Sequence, residues 1–247
     1  MLETPAQRPE SGTSAPRAGP GSFSFVACQA GSTHALAAPL RQRPYDQALQ
    51  LGFDVLSARP PSREKLGLLG VAATAGVIRL PVLNRCLFID LEQRRVLVDK
   101  DGPARSAWAV LAVHYLCAEN LAPDSHAVSF SYFQDCRSYL SVFGKRITAR
   151  FLATSGRTSA LFTQIAEQCA GAKVPGSGTG YSFEIFPRLP ITIVRHEGDD
   201  EICPGASVIY RADAEHLLPA EDRVVAAELL LDYLSGKSMY ESGGLNV

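Results

Sequence analysis

No stretch of this sequence holds the ~20 consecutive apolar residues that a membrane-spanning helix needs. The longest candidate, Leu66 to Ile78, is short and full of glycine and alanine. Charge of one sign is also missing: 24 Lys and Arg stand against 25 Asp and Glu, a formal net charge of -1. That balance argues against a strongly basic nucleic-acid binder and a bulk-acidic chain. The six cysteines, Cys28, Cys86, Cys117, Cys136, Cys169 and Cys203, include no C-x-x-C pair, which argues against zinc ribbons and ferredoxin-type clusters. Tryptophan occurs once. There is no G-x-S-x-G element, no H-E-x-x-H and no Rossmann fingerprint. The glycine-rich Gly176-Ser177-Gly178-Thr179-Gly180 lacks the Lys-Ser/Thr that opens the helix of a phosphate loop.

Residues 1–22 are rich in Pro, Gly, Ser, Thr and Ala. Such a stretch buries too little surface to offset its ordering entropy, so a disordered tail is expected. It lacks the basic start and apolar run of a secretory signal. The expectation is therefore a cytoplasmic protein with reduced thiols, and no membrane or nucleic-acid partner.

What is present reads as one domain over residues 45–237. Apolar spacing predicts helices from Tyr45, after Ser62 as a cap, from Ser106, near Tyr139–Phe151, over 157–171 and from Pro219 to Gly236. Cys117 and Cys169 fall within helical patterns, as small core residues. Strands are expected at Cys86–Leu91 and Arg95–Val98, turning at Glu92-Gln93-Arg94. Others are expected at His126–Phe133, Tyr181–Phe186, Leu189–His196 and Ala206–Arg211. The irregular order favours α+β, a mostly antiparallel sheet with packed helices, over repeated βαβ units.

Charge is unevenly spread. Residues 137–195 carry a net +6 and residues 196–247 a net -8. Either the two pair inside the domain, or one of them meets a charged ligand. In the basic stretch Arg188 and Arg195 are the candidate anion ligands, because a guanidinium matches carboxylate and phosphate geometry. In the acidic stretch Asp199 and Glu201 are two apart and would share a face if extended, so they are the candidates for a hard cation such as Mg²⁺ or Ca²⁺. A hairpin turn with solvated charges accounts for the same residues. His114 has Cys117 three positions on, and such a pair could ligate a metal or a tetrapyrrole, although a satisfied core histidine is the commoner outcome.

The order His114-Tyr115-Leu116, Ser129-Phe130-x-x-Phe133, Phe186-Pro187-Arg188-Leu189-Pro190, Gly198-Asp199-Asp200-Glu201 and Ala220-Glu221-Asp222 resembles a domain-of-unknown-function family found mainly in anaerobic bacteria and archaea. The resemblance spans Tyr45 to Lys237 and departs from the family at Cys136, where a glycine is expected. Some members are joined to iron–sulfur modules and sit among corrinoid or tetrapyrrole enzymes. The resemblance brings no established activity. The leading reading is a cytosolic accessory domain of anaerobic metabolism that binds a small anionic ligand or cofactor, with Arg188, Arg195 and His114 in contact, and the context of the resemblance favours a corrinoid or other tetrapyrrole as that ligand. Two alternatives stand beside it: a metal-assisted hydrolase or lyase using Asp199 and Glu201, and a protein-interaction domain.

Overall fold

The computed structural model describes residues 43–241. The expected tail at 1–22 and Cys28 lie outside them. The fold is α+β, with two antiparallel five-stranded sheets joined by helices. It opens with α1 (Arg43–Ala58) and α2 (Arg63–Leu68), where the Ser62 hydroxyl accepts from the Lys65 amide as the N-cap. The first sheet follows in chain order: β1 (Ala72–Thr74), β2 (Val77–Val82), β3 (Arg85–Asp90), β4 (Arg95–Val98) and β5 (Gly102–Pro103). Alternation sets its register. Leu87 and Ile89 of β3 face Val98 and Val96 of β4, and all four are buried. The turn between them holds Arg94 at φ +51°, with the Asp90 side chain accepting from the Gln93 amide.

Next comes α3 (Ser106–Cys117), a largely enclosed helix, with Trp108 to Val113, Tyr115 and Leu116 all buried. Gly52 of α1 permits the close approach of α3, since a Cβ there would lie 2.5 Å from Val113 Cγ1. After β6 (Ala127–Ser129) the chain runs through 3₁₀ turns at Phe130–Tyr132 and Gln134–Tyr139, then α4 (Leu140–Phe143), a π-helical turn at Gly144–Ala149, and α5 (Arg150–Ala153). Two expectations shift here. The strand expected over 126–133 stops at Ser129, because Phe130 and Phe133 turn inward to pack on Tyr210. The helix expected over 139–151 is broken into α, π and α turns.

Then come α6 (Ser159–Gln168), β7 (Ala172–Val174), β8 (Thr179–Phe186), β9 (Leu189–His196), β10 (Gly205–Arg211), α7 (Ala214–Leu217) and α8 (Ala220–Leu234). The second sheet has the order β6-β10-β9-β8-β7. Pro190 sits at the opening of β9, beyond the last residue paired with β10, so its missing N–H costs no ladder bond there. Among the described residues no helix is long and apolar enough to cross a membrane, and Cys86, Cys117, Cys136, Cys169 and Cys203 are unbridged.

Candidate functional site

The helix pair α3 and α8 runs antiparallel, pinned at both ends by ion pairs. His114 Nδ1 donates to Asp222 Oδ2 at 2.6 Å, and Arg105 Nη2 reaches Asp232 Oδ2 at 3.1 Å. Between these pins the helices and the first turn of α1 leave a groove. One half, about 350 Å³, is lined by Tyr45, Ala48, Val110, His114, Glu221 and Asp222. The other, about 740 Å³, is lined by Arg105, Arg146, Arg150, Glu228, Asp232 and Lys237. Pro44, Tyr45, Ala107 and Val225 wall both halves. The stripe on α8 is a helical one: Glu221, Val225, Glu228 and Asp232 recur every three or four residues.

The larger half is rich in cations. Arg105, Arg150 and Lys237 all meet the one Asp232 carboxylate, Lys237 at 2.9 Å. Arg146 grips Glu228 with two contacts, at 2.5 and 2.6 Å. Burial works against the charge on Asp232, yet Lys237, Arg150 and Arg105 hold its carboxyl below the usual value. Counting those side chains leaves two positive charges in excess, and Arg105, Arg150 and Lys237 keep N–H groups beyond the ones Asp232 accepts. The N-terminus of α3, which has no side-chain cap, opens at this end and adds its partial positive charge. Arg146 and Arg150 come from the π-helical turn and the helix after it.

At the other half the hydrogen bond to Asp222 raises the His114 pKa, burial opposes it, and the Asp222 charge and the Ala48 carbonyl add to the rise. Tyr45 stands between the halves. Burial and the Glu228 charge push its hydroxyl pKa up.

Of the candidate ligand residues named from the sequence, only His114 lies in this groove, beside Glu221 and Asp222 of the quoted motif order. Arg188 is taken up by structure. It reaches the fully buried Asp213 at 2.8 Å and donates to the Leu121 carbonyl at 2.9 Å. Arg195 is buried too, donating to the Gly156 carbonyl at 2.8 Å and the Ser159 hydroxyl at 3.0 Å and pairing with Glu197 at 2.5 Å. Asp199 and Glu201 sit in the exposed turn between β9 and β10. Asp199 Oδ1 accepts from the amides of Glu201 and Ile202 at 2.9 and 2.7 Å, and these bonds lower its pKa. Among the described residues no third His, Cys, Asp or Glu joins them, or any other such pair, as a metal cluster. The Cys117 thiol lies 3.8 Å from the Gly52 carbonyl. Cys136, the departure from the resemblance, is fully buried with its sulfur 3.1 Å from Arg223 Nη2. The basic and acidic stretches thus meet within the domain, as Arg146–Glu228, Arg150–Asp232, Arg188–Asp213 and Arg195–Glu197.

A family model described as domain of unknown function (DUF3786) matches residues 63–233. No curated protein and no solved structure matches the chain.

Proposed function

Since the chain belongs to the DUF3786 family, a domain of unknown function, we propose from its own residues that it binds a small anionic ligand, a carboxylate or phosphate, in the groove between α3 and α8. The observation that carries this is the convergence of Arg105, Arg150 and Lys237 on the single Asp232 carboxylate beside a cleft of about 740 Å³. Three cations around one anion leave charge and donors for a second anion, and the uncapped start of α3 favours the same sign. His114 lies in the adjoining half, so the reading keeps that residue and moves the anion contacts away from Arg188 and Arg195. The surroundings implied by the family resemblance, corrinoid and tetrapyrrole enzymes of anaerobes, add one class of occupant. Tetrapyrroles carry carboxylate side chains, and a bound one would give the purified protein visible absorbance.

The test is a thermal melt at constant ionic strength with inorganic phosphate, pyrophosphate or citrate. A ligand at a hundredfold excess over its dissociation constant stabilises the fold by about 2.7 kcal/mol. At least one anion should raise the melting temperature, and Lys237→Gln should weaken that response. The exposed Lys173→Gln on β7, outside the groove, should leave it intact. No response to any of them contradicts the proposal.

A further inference from the structure

The groove is not uniform, and its two ends ask for different groups. Glu221 and Asp222 occupy one end, with His114 as the cation of Asp222. Among the described residues Glu221 has no cation within ion-pair distance, while Asp222 pairs only with His114. That end therefore carries a net negative charge even with the imidazole protonated. The other end carries the two excess positive charges beside Asp232. The walls between carry the apolar Ala107, Val110, Leu111 and Val225 beside the Tyr45 ring and hydroxyl. From Asp222 to Asp232 the axis of α8 advances about 15 Å, at 1.5 Å per residue.

Resting on the reading above, we infer that the ligand is an elongated zwitterion: an anionic head at Arg105, Arg150 and Lys237, an apolar chain along Val225, and an amino or other cationic group at Glu221. A plain anion satisfies one end only and brings its tail against a carboxylate. A dianion of the same length is worse placed, because its second charge meets Glu221 and Asp222. A single dicationic or apolar molecule fails at the Arg105 end. The opposed charges thus select for orientation as well as class.

The experiment is calorimetric titration of the full chain with ω-amino carboxylates of rising length: 4-aminobutanoate, 6-aminohexanoate and 8-aminooctanoate. Each is set against the monocarboxylate and dicarboxylate of equal length, with inorganic phosphate alongside, at fixed ionic strength. At the best length the amino carboxylate should bind about fivefold tighter than its uncharged-tail partner, the size expected of one added partly exposed ion pair. Glu221→Gln alters an exposed side chain on the otherwise buried first turn of α8 and should erase that preference, with phosphate still bound. Equal or weaker binding of the amino compounds, with phosphate and monocarboxylates still bound, overturns the zwitterion and leaves the anion site standing. Failure of phosphate and every carboxylate to bind overturns both.

Discussion

His114 Nδ1 and Asp222 Oδ2 lie 2.6 Å apart although 108 residues separate them in the chain. The contact aligns the last turn of α3 with the first turn of α8, and so fixes one end of the groove. Because Asp222 raises the His114 pKa in the fold, the pair links stability to pH. A raised value means that the fold favours the protonated imidazole. The stabilisation is complete below the unfolded histidine pKa of about 6.5 and is lost as pH rises through the folded value. Wild type should lose melting temperature as pH rises above about 6.5 and through the raised folded value. His114→Gln, which isolates the imidazole from the neighbouring Glu221 and Tyr45, should show a flatter profile in that window. Parallel profiles contradict the coupling.

Asp213 is fully buried and takes both Arg188 and Arg211 at 2.8 Å. Asp213→Ala removes the counter-ion of two largely enclosed guanidinium groups. Breaking such a pair costs about 3–5 kcal/mol, because the surviving charge stays buried. Urea denaturation should show a loss of that size. A loss below about 1 kcal/mol, the range of an exposed pair, would show that Arg188 and Arg211 find water instead.

Gly52 sets the distance between α1 and α3. An alanine there puts a methyl group 2.5 Å from Val113 Cγ1, and such overpacking costs about 1–3 kcal/mol. Gly52→Ala should be destabilised by that much, and adding Val113→Ala should recover part of the loss. If the two effects simply add, the close approach is not what disfavours the methyl group.

At the turn between β9 and β10, the Asp199 side chain already bonds to two backbone amides of its own turn. An asparagine oxygen can accept the same bonds. Asp199→Asn with Glu201→Gln should therefore leave the melting temperature and its response to Mg²⁺ unchanged. A Mg²⁺-dependent rise present in wild type and lost in the double variant would instead mark a cation site.

The strands of the second sheet were readable because alternation is a local signal. Leu189, Ile191 and Ile193 of β9 share a buried phase, and Arg195 stands in that same phase, which is why it is buried. That phase was visible in the sequence and argued against an exposed anion ligand. The stripe Glu221, Val225, Glu228 and Asp232 and the spacing of Arg146 to Arg150 were equally present in the sequence. Nothing local distinguishes them from a solvated helix face. What makes a site of them is the approach of Arg105 and His114 from α3, a relation between distant segments that no periodicity carries. The π turn at Gly144–Ala149 was hidden for another reason: its apolar spacing passes for that of an α-helix. In β1 the exposed Ala72, Ala73 and Thr74 left no alternation to read, whereas in β2 the alternation of Ile78, Leu80 and Val82 was present and is buried.

The central claim is that anions bind between α3 and α8, and the most direct test is to ask where they bind. Titrating isotope-labelled protein with inorganic phosphate and following backbone and arginine side-chain NMR signals maps the contact residue by residue. Saturable shifts should concentrate at Arg105, Arg146, Arg150 and Lys237, with smaller ones at Tyr45 and Val225. Shifts centred on Arg188 and Arg195, or scattered over the exposed lysines and arginines without saturation, would contradict the account.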